Sequence, residues 1–415
     1  MNRIEMKGVG KWMLFLLLLS TASSVSGQAV DSLSLKIGQM ILIGYPGTVV
    51  DPLVLEEIRA GKVGSIILFE KNVPKTTSAF APLKKTIWTY QKAAPIPLLV
   101  TIDQEGGKVN RLKEKYGFTR SITAQEMGRA STLDSVRFYA EATAATLSGL
   151  GINVNFAPVV DLGVNKENTV IYKVGRSFGA NPDSVVLFAG EFSKMHRKYH
   201  VITTLKHFPG HGSSMADTHF GVADVTATWT PAELVPYEKL INAGLVDAVM
   251  SSHIVNKKLD PNGYPGTLSS RMIDSLLRKQ FHYDGVVFSD DMQMQAIAKQ
   301  YGLEEAIRLA VNAGVDILCF SNNIAGSEER TVDKVHSIIR AQVESGQIKK
   351  ERVDQAYRRV MRLKRSTAYG QETPSVSPAT TQPAVTVSST SPVDSTSITS
   401  PSKKEKKKKR KSKDQ

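Results

Sequence analysis

At 415 residues, 41% of them hydrophobic, the chain carries enough apolar material for one large α/β domain or two to three ordinary ones. Its only cysteine, Cys319, excludes an intramolecular disulfide and leaves no lipid-accepting thiol near the N-terminus. The formal charge of +14 is mostly a property of the two ends: residues 403–415 hold nine basic and two acidic residues, and residues 1–27 hold three and one, which leaves +5 for everything between.

The first 27 residues combine Arg3, Lys7 and Lys11 with an apolar run over 12–19 and small residues through Gly27. That layout predicts a secretory signal peptide cleaved after Val25-Ser26-Gly27. Eight apolar residues are too few to span a bilayer, so the mature chain is expected to be exported, periplasmic or secreted, and not transmembrane.

Residues 30–365 alternate short apolar, β-rich runs with helical patterns. Strands are expected at 39–43, 65–69, 98–102, 153–159, 202–206, 248–252, 285–289 and 316–320. Helices are expected at 124–150, 183–199, 231–243, 269–280 and 303–313, followed by a closing pair at 332–345 and 350–364. Eight strands alternating with helices predict an α/β fold, a (β/α)8 TIM-like barrel forming a single catalytic domain. A doubly wound open sheet uses the same alternation, but no glycine-rich phosphate loop follows the first strand.

From 366 to 402 the chain is rich in Ser, Thr and Pro and poor in large apolar residues, the composition of a disordered linker. The Lys-rich tail at 403–415 reads either as a solvated end or as an adhesive for anionic envelope polymers or lipid surfaces. Nucleic acid is not an expected partner of an exported chain.

Polar residues gather where the expected strands end. Asp103-Gln104-Glu105-Gly106-Gly107 follows the third strand, Asp161 the fourth, Lys206 and His207 the fifth, His253 the sixth, and Asp290 and Asp291 the seventh. In a barrel these meet on the C-terminal rim, where chemistry is assembled from loops. The densest stretch is 206–219, Lys-His-Phe-Pro-Gly-His-Gly-Ser-Ser-Met-Ala-Asp-Thr-His. His207 and His211 have the i, i+4 spacing of a two-histidine zinc site, but Pro209-Gly210 interrupts the helix such a site needs, and no metal or cofactor is expected. No Gly-x-Ser-x-Gly elbow supplies a serine nucleophile.

Displacement at a sugar carbon suits the set better. It needs a carboxylate to meet an oxocarbenium-like centre and a proton donor for the departing oxygen. Asp290 can be the first and His219 the second, with Asp217 beside it favouring the imidazolium. Lys, Arg and His around a sugar donate to its hydroxyls and keep the carboxylate ionised.

Six motifs, in shared order over about 35–365, resemble glycoside hydrolase family 3, in its bacterial single-barrel β-N-acetylglucosaminidase form. They are Asp-Gln-Glu-Gly-Gly-Lys-Val-Asn-Arg (103–111), Asn-Phe-Ala-Pro-Val-Val-Asp (155–161), Gly-Arg-Ser-Phe (175–178), Lys-His-Phe-Pro-Gly-His-Gly (206–212), Asp-Thr-His (217–219) and Phe-Ser-Asp-Asp-Met (288–292). The resemblance implies Asp290 as nucleophile of a retaining reaction, His219 as acid/base tuned by Asp217, and Asp103, Arg111, Arg176, Lys206 and His207 as the groups that hold the terminal sugar. It gives Asp291 and Glu105 structural parts; from their positions alone, Asp161 and His253 are read as structural and His211, between two glycines, as shaping the turn. The implied substrate is a β-N-acetylglucosamine-containing oligosaccharide, a muropeptide or chitin-like fragment. A β-glucosidase, a β-N-acetylglucosaminide phosphorylase and a non-catalytic glycan-binding barrel are the alternatives. Lys108 replaces a commoner arginine and Thr218 a frequent serine, and neither substitution removes a reacting group.

Overall fold

The computed structural model describes residues 32–367 apart from 131, 216–220, 222 and 324–330. The signal peptide, all but two residues of the linker, the basic tail, Asp217 and His219 lie outside the described residues.

Five strands open the chain, β1 (Ile41–Gly44), β2 (Ser65–Leu68), β3 (Leu99–Ile102), β4 (Val154–Asn155) and β5 (Ile202–Phe208). They are followed by β6 (Ala223–Asp224), β7 (Ala248–Ser251), β8 (Ile254–Val255), β9 (Val286–Asp291) and β10 (Ile317–Phe320). Eight of them close a parallel barrel in the order β1-β10-β9-β7-β5-β4-β3-β2, and β6 pairs with β8 beside it. This is the expected (β/α)8 arrangement, and each of the eight expected strands contributes one stave.

The helices are α1 (Ser32–Gly38), α2 (Pro52–Arg59), α3 (Phe80–Ala93), α4 (Ala124–Arg129), α5 (Asp134–Leu150) and α6 (Pro182–Arg197). The set continues with α7 (Val235–Asn242), α8 (Gln295–Tyr301), α9 (Leu303–Ala313), α10 (Val332–Glu344) and α11 (Lys350–Arg365). Among the described residues no helix is long and apolar enough to cross a membrane.

Strand side chains alternate between the barrel interior and the helical shell, as a period of two demands. Leu42, Ile67, Leu99, Val154, Phe156, Ile202, Met250, Val286, Phe288, Ile317 and Cys319 pack together as the interior cluster. Their neighbours Ile43, Ile66, Leu68, Val100, Ile102, Leu205, Val249, Val287 and Leu318 belong to the second cluster, shared with the helices. Val360 and Leu363 of α11 join the interior cluster.

Three local expectations are corrected. The single helix expected over 124–150 is two. Glu126 completes a capping box with Thr123 at the start of α4, and Gly128 lies so close to Phe178 that a Cβ would come within 1.8 Å of its carbonyl oxygen. The hydroxyl of Thr132 then accepts the Asp134 N–H (3.4 Å), a local bond that competes with helix continuation. The strand expected over 153–159 pairs only at Val154–Asn155, because Pro158 has no N–H to give to the ladder; pairing resumes as an isolated bridge between Val159 and Lys206. Within the helix expected over 231–243, Pro231–Leu234 is a tighter 3-10 turn that precedes α7.

Candidate active site

Continuing the interior alternation toward the C-terminal ends turns apolar positions into charged ones. Leu99 and Thr101 lead to Asp103, Ile202 and Thr204 to Lys206, and Val286 and Phe288 to Asp290. The barrel therefore places a carboxylate, an ammonium and a second carboxylate on its inner rim.

Lys206 is the hub. Its ammonium lies 2.7 Å from Asp103 Oδ1 and 2.6 Å from Glu105 Oε1, and its side chain is only 2% exposed. Arg176 grips Glu105 with two bonds, Nε to Oε2 at 2.7 Å and Nη2 to Oε1 at 2.8 Å, the bidentate geometry of guanidinium with carboxylate. Arg111 donates to Asp103 Oδ2 at 3.4 Å while its guanidinium lies over the Phe69 ring, 5.5 Å from the centroid. Burial alone would raise the Asp103 carboxyl, but Lys206 and Arg111 outweigh it and hold it below its ordinary value. Glu105 behaves the same way: burial is overcome by Arg176 and then Lys206, so the group is well depressed. A carboxylate so held is no proton donor near neutrality, which leaves Glu105 its structural part.

Arg176 Nη2 also lies 3.2 Å from His207 Nε2. A guanidinium only donates, so Nε2 accepts and the imidazole proton sits on Nδ1, directed at Asp161 Oδ2 2.6 Å away. Both ring nitrogens of His207 are thus engaged by the protein, which removes them as zinc ligands in this arrangement. Asp161 is fully buried, and it also accepts the backbone N–H of His207 and, at 2.8 Å, that of His211. Burial would raise its carboxyl, and His207 more than offsets this. His211 packs edge-on against His207 with ring centroids 5.9 Å apart. Burial pulls its imidazole down to about 4, so it is neutral at working pH. Among the described residues no group of three or more His, Cys, Asp or Glu side chains is placed to hold a metal ion.

Asp290 ends the inner face of β9, half-buried, with Oδ1 accepting the Asp291 N–H at 2.8 Å. The Cys319 thiol, in the interior cluster, is pushed well up by burial and by the charges of Asp291, Asp290 and Asp103. At Asp291 the register with β10 shifts, Cys319 standing opposite Asp291 where Ile317 stands opposite Phe288. The Asp291 carboxylate accepts the Gln293 N–H (3.1 Å), the Ser321 N–H (3.3 Å) and the Ser321 hydroxyl, stapling the end of β9 to that of β10. Burial raises it to about 6. His253 holds the same corner through Nε2, 2.9 Å from the Asp291 carbonyl oxygen.

The fold thus brings Asp103, Arg111, Arg176, Lys206 and His207 into one bonded network on the rim that also carries Asp290; Asp217 and His219 are not among the described residues. Two residues outside the expected site are tied into it. Asp161, the last residue of the 155–161 motif, fixes the tautomer of His207. Glu233, in the turn Pro231–Leu234, accepts the Gly212 N–H at 2.8 Å, and nothing in its local sequence distinguishes it from an ordinary first-turn acid.

Residues 32–363 match the model of the glycosyl hydrolase family 3 N-terminal domain. The chain belongs to glycoside hydrolase family 3. A β-hexosaminidase from Tolumonas auensis is 33% identical over 290 residues, covering 69% of this chain and 84% of its own. The structure of a family 3 β-N-acetylglucosaminidase from Paenibacillus superposes with a TM-score of 0.76 at 33% identity, over 84% of this chain and 65% of that one. A β-N-acetylhexosaminidase structure from Beutenbergia cavernae superposes with a TM-score of 0.72 at 28% identity, over 80% of this chain and 98% of that one.

Proposed function

We propose that this family 3 glycoside hydrolase, a β-hexosaminidase, works as a retaining exo-β-N-acetylglucosaminidase. The observation that carries the reading is the inner rim itself, where the half-buried Asp290 carboxylate shares the barrel mouth with a charged network built on Lys206, Arg176 and His207. A terminal sugar held there through Asp103, Arg111, Arg176, Lys206 and His207 presents its anomeric carbon to Asp290. The carboxylate attacks as the glycosidic oxygen leaves, the bond from carbon to Asp290 replacing the bond to the aglycone. His219, held by Asp217, gives its proton to the leaving oxygen, then takes one from the water that releases the sugar with retained configuration. A histidine suits this part because an adjacent carboxylate is enough to stabilise its charged form near neutrality.

The acetamido sugar, the muropeptide or chitin-like aglycone and an exported location belong to the same proposal, the last resting on the composition of residues 1–27. Replacing Asp290 with Ala should lower turnover of an aryl β-N-acetylglucosaminide by at least about 10³-fold with the melting temperature preserved; unchanged turnover would remove Asp290 as nucleophile. Comparison with the aryl β-glucoside, each with and without phosphate, separates the hydrolase from a β-glucosidase and a phosphorylase. Preference for glucose would overturn the acetamido assignment. Cell fractionation tests export, which an exclusively cytosolic protein would refute.

A further inference from the structure

Residues 207–212 end β5 and form the turn after it, and they are gripped by buried groups from two other elements. From the segment after β4, Asp161 accepts the backbone N–H of His207 and of His211. From the segment before α7 come Glu233, 1% exposed, whose Oε2 accepts the Gly212 N–H at 2.8 Å, and Trp229, whose Nε1–H donates to the Pro209 carbonyl at 3.2 Å. Glu233 also packs on Gly210, where φ is +114° and a Cβ would come within 2.6 Å of the Glu233 Cβ. Gly212 is as confined, since a Cβ there would lie 1.9 Å from the Leu162 carbonyl oxygen. These contacts leave the turn little room to move.

We infer that Glu233 is a positioning residue: its carboxyl group sets where the 207–212 turn sits, and so how well His207 meets the sugar. The inference rests on the proposed reading of this turn as sugar-binding. Its consequence is a specific pH dependence. Burial pushes the Glu233 carboxyl up to about 7; the charge of Asp161 adds to this and the hydrogen bond from the Gly212 N–H opposes it. The other titratable groups around it do not neutralise it. His211 is neutral, Tyr237 of α7 is a fully buried phenol pushed well above its ordinary value by burial, and Arg176 is committed to Glu105. As pH rises through about 7, the hydrogen bond to Gly212 becomes charge-assisted while Glu233 and Asp161 begin to repel. The turn must adjust.

The sequence supplies a reporter, because Trp229 is one of only three tryptophans. In the full chain carrying Trp12→Phe and Trp88→Phe, Trp229 fluorescence should titrate with a midpoint near 7, and Glu233→Gln, which keeps an acceptor for Gly212, should abolish the transition. The Kd of N-acetylglucosamine, measured by calorimetry, should change several-fold across the same range in the parent and stay flat in the Gln variant. The stability sign is also set. A carboxyl raised in the folded state contributes stability below its unfolded value and loses it as pH rises through about 7. The parent melting temperature should therefore fall relative to that of Glu233→Gln over this range. A fluorescence transition that survives Glu233→Gln, or superimposable Kd profiles, would overturn the inference. If the parent binds no N-acetylglucosamine at any pH, the sugar-binding reading fails, and the fluorescence titration still decides whether Glu233 positions the turn.

Discussion

The two mouths of the barrel are each closed by a buried charge network, and the networks are built differently. At the N-terminal mouth, the fully buried Asp316 receives Arg278 at 2.7 Å, Arg352 at 2.6 Å and Arg359 at 3.4 Å. Arg278 donates further to the Tyr283 and Gly314 carbonyls, Arg352 to those of Val311 and Val315, and Arg359 to Asp284 Oδ1 at 2.8 Å. Lys364 seals the same end, donating to Gln39 Oε1 and the Gly64 carbonyl. These are helix-to-strand ties, directed inward. At the C-terminal mouth, acids and bases alternate, and Asp103, Arg111 and Arg176 keep 16–24% of their side chains open to solvent. The two networks thus differ in direction: one holds α9, α11 and their strands together, the other leaves polar atoms partly open to solvent.

Substitution at the two hubs breaks this comparison most sharply. Lys206→Ala leaves Asp103 and Glu105 buried together without their shared cation, which should destabilise the fold by about 3–5 kcal/mol and abolish saturable sugar hydrolysis. Asp316→Ala strands the opposing arginines and should destabilise by a similar amount, about 3–5 kcal/mol, yet leave KM unchanged in the protein that folds. Denaturant melts with steady-state kinetics on both variants check this pair. A KM raised equally by both would show that the two ends are not independent.

A milder change sharpens the rim side alone. Asp161→Asn removes the charge behind His207 and should raise KM roughly tenfold, about 1.4 kcal/mol, with kcat little altered; an unchanged KM would reduce Asp161 to packing. The smallest expected effect lies at the opposite mouth. Burial pulls the Lys364 ammonium down to about 7. Between that pH and the unfolded lysine value of about 10.4 the unfolded chain binds the proton and the folded one does not, so stability rises with pH in this window. Below it the burial penalty is fully present. The melting temperature of the parent should gain on that of Lys364→Met from about pH 7 to 10, with activity unaltered, whereas parallel curves would exclude the linkage.

The barrel was legible because strands buried on both faces read as apolar runs, such as Ile202-Thr203-Thr204-Leu205, whatever surrounds them. Residues 103, 206 and 290 were legible as site candidates because charge directly after such a run falls on the rim. Helices α1, α2, α3 and α8 went unassigned, and α4 and α5 were merged, because their limits depend on tertiary contacts such as Gly128 against Phe178. Strand alternation alone did not show that the β9–β10 register shifts at this point, with Ile317 opposite Phe288 and Cys319 opposite Asp291.

By itself, then, the sequence determined an eight-stave α/β barrel, its family, and the residue types at its mouth, since all three follow from local periodicity and short motifs. The tertiary structure decided how the charges pair: Lys206 shared between Asp103 and Glu105, His207 held in one tautomer by Asp161 and Arg176, and Glu233 brought in from a distant turn. Such pairings join positions up to 103 residues apart. The reason is physical: a buried ion is stable only where the fold supplies its partner.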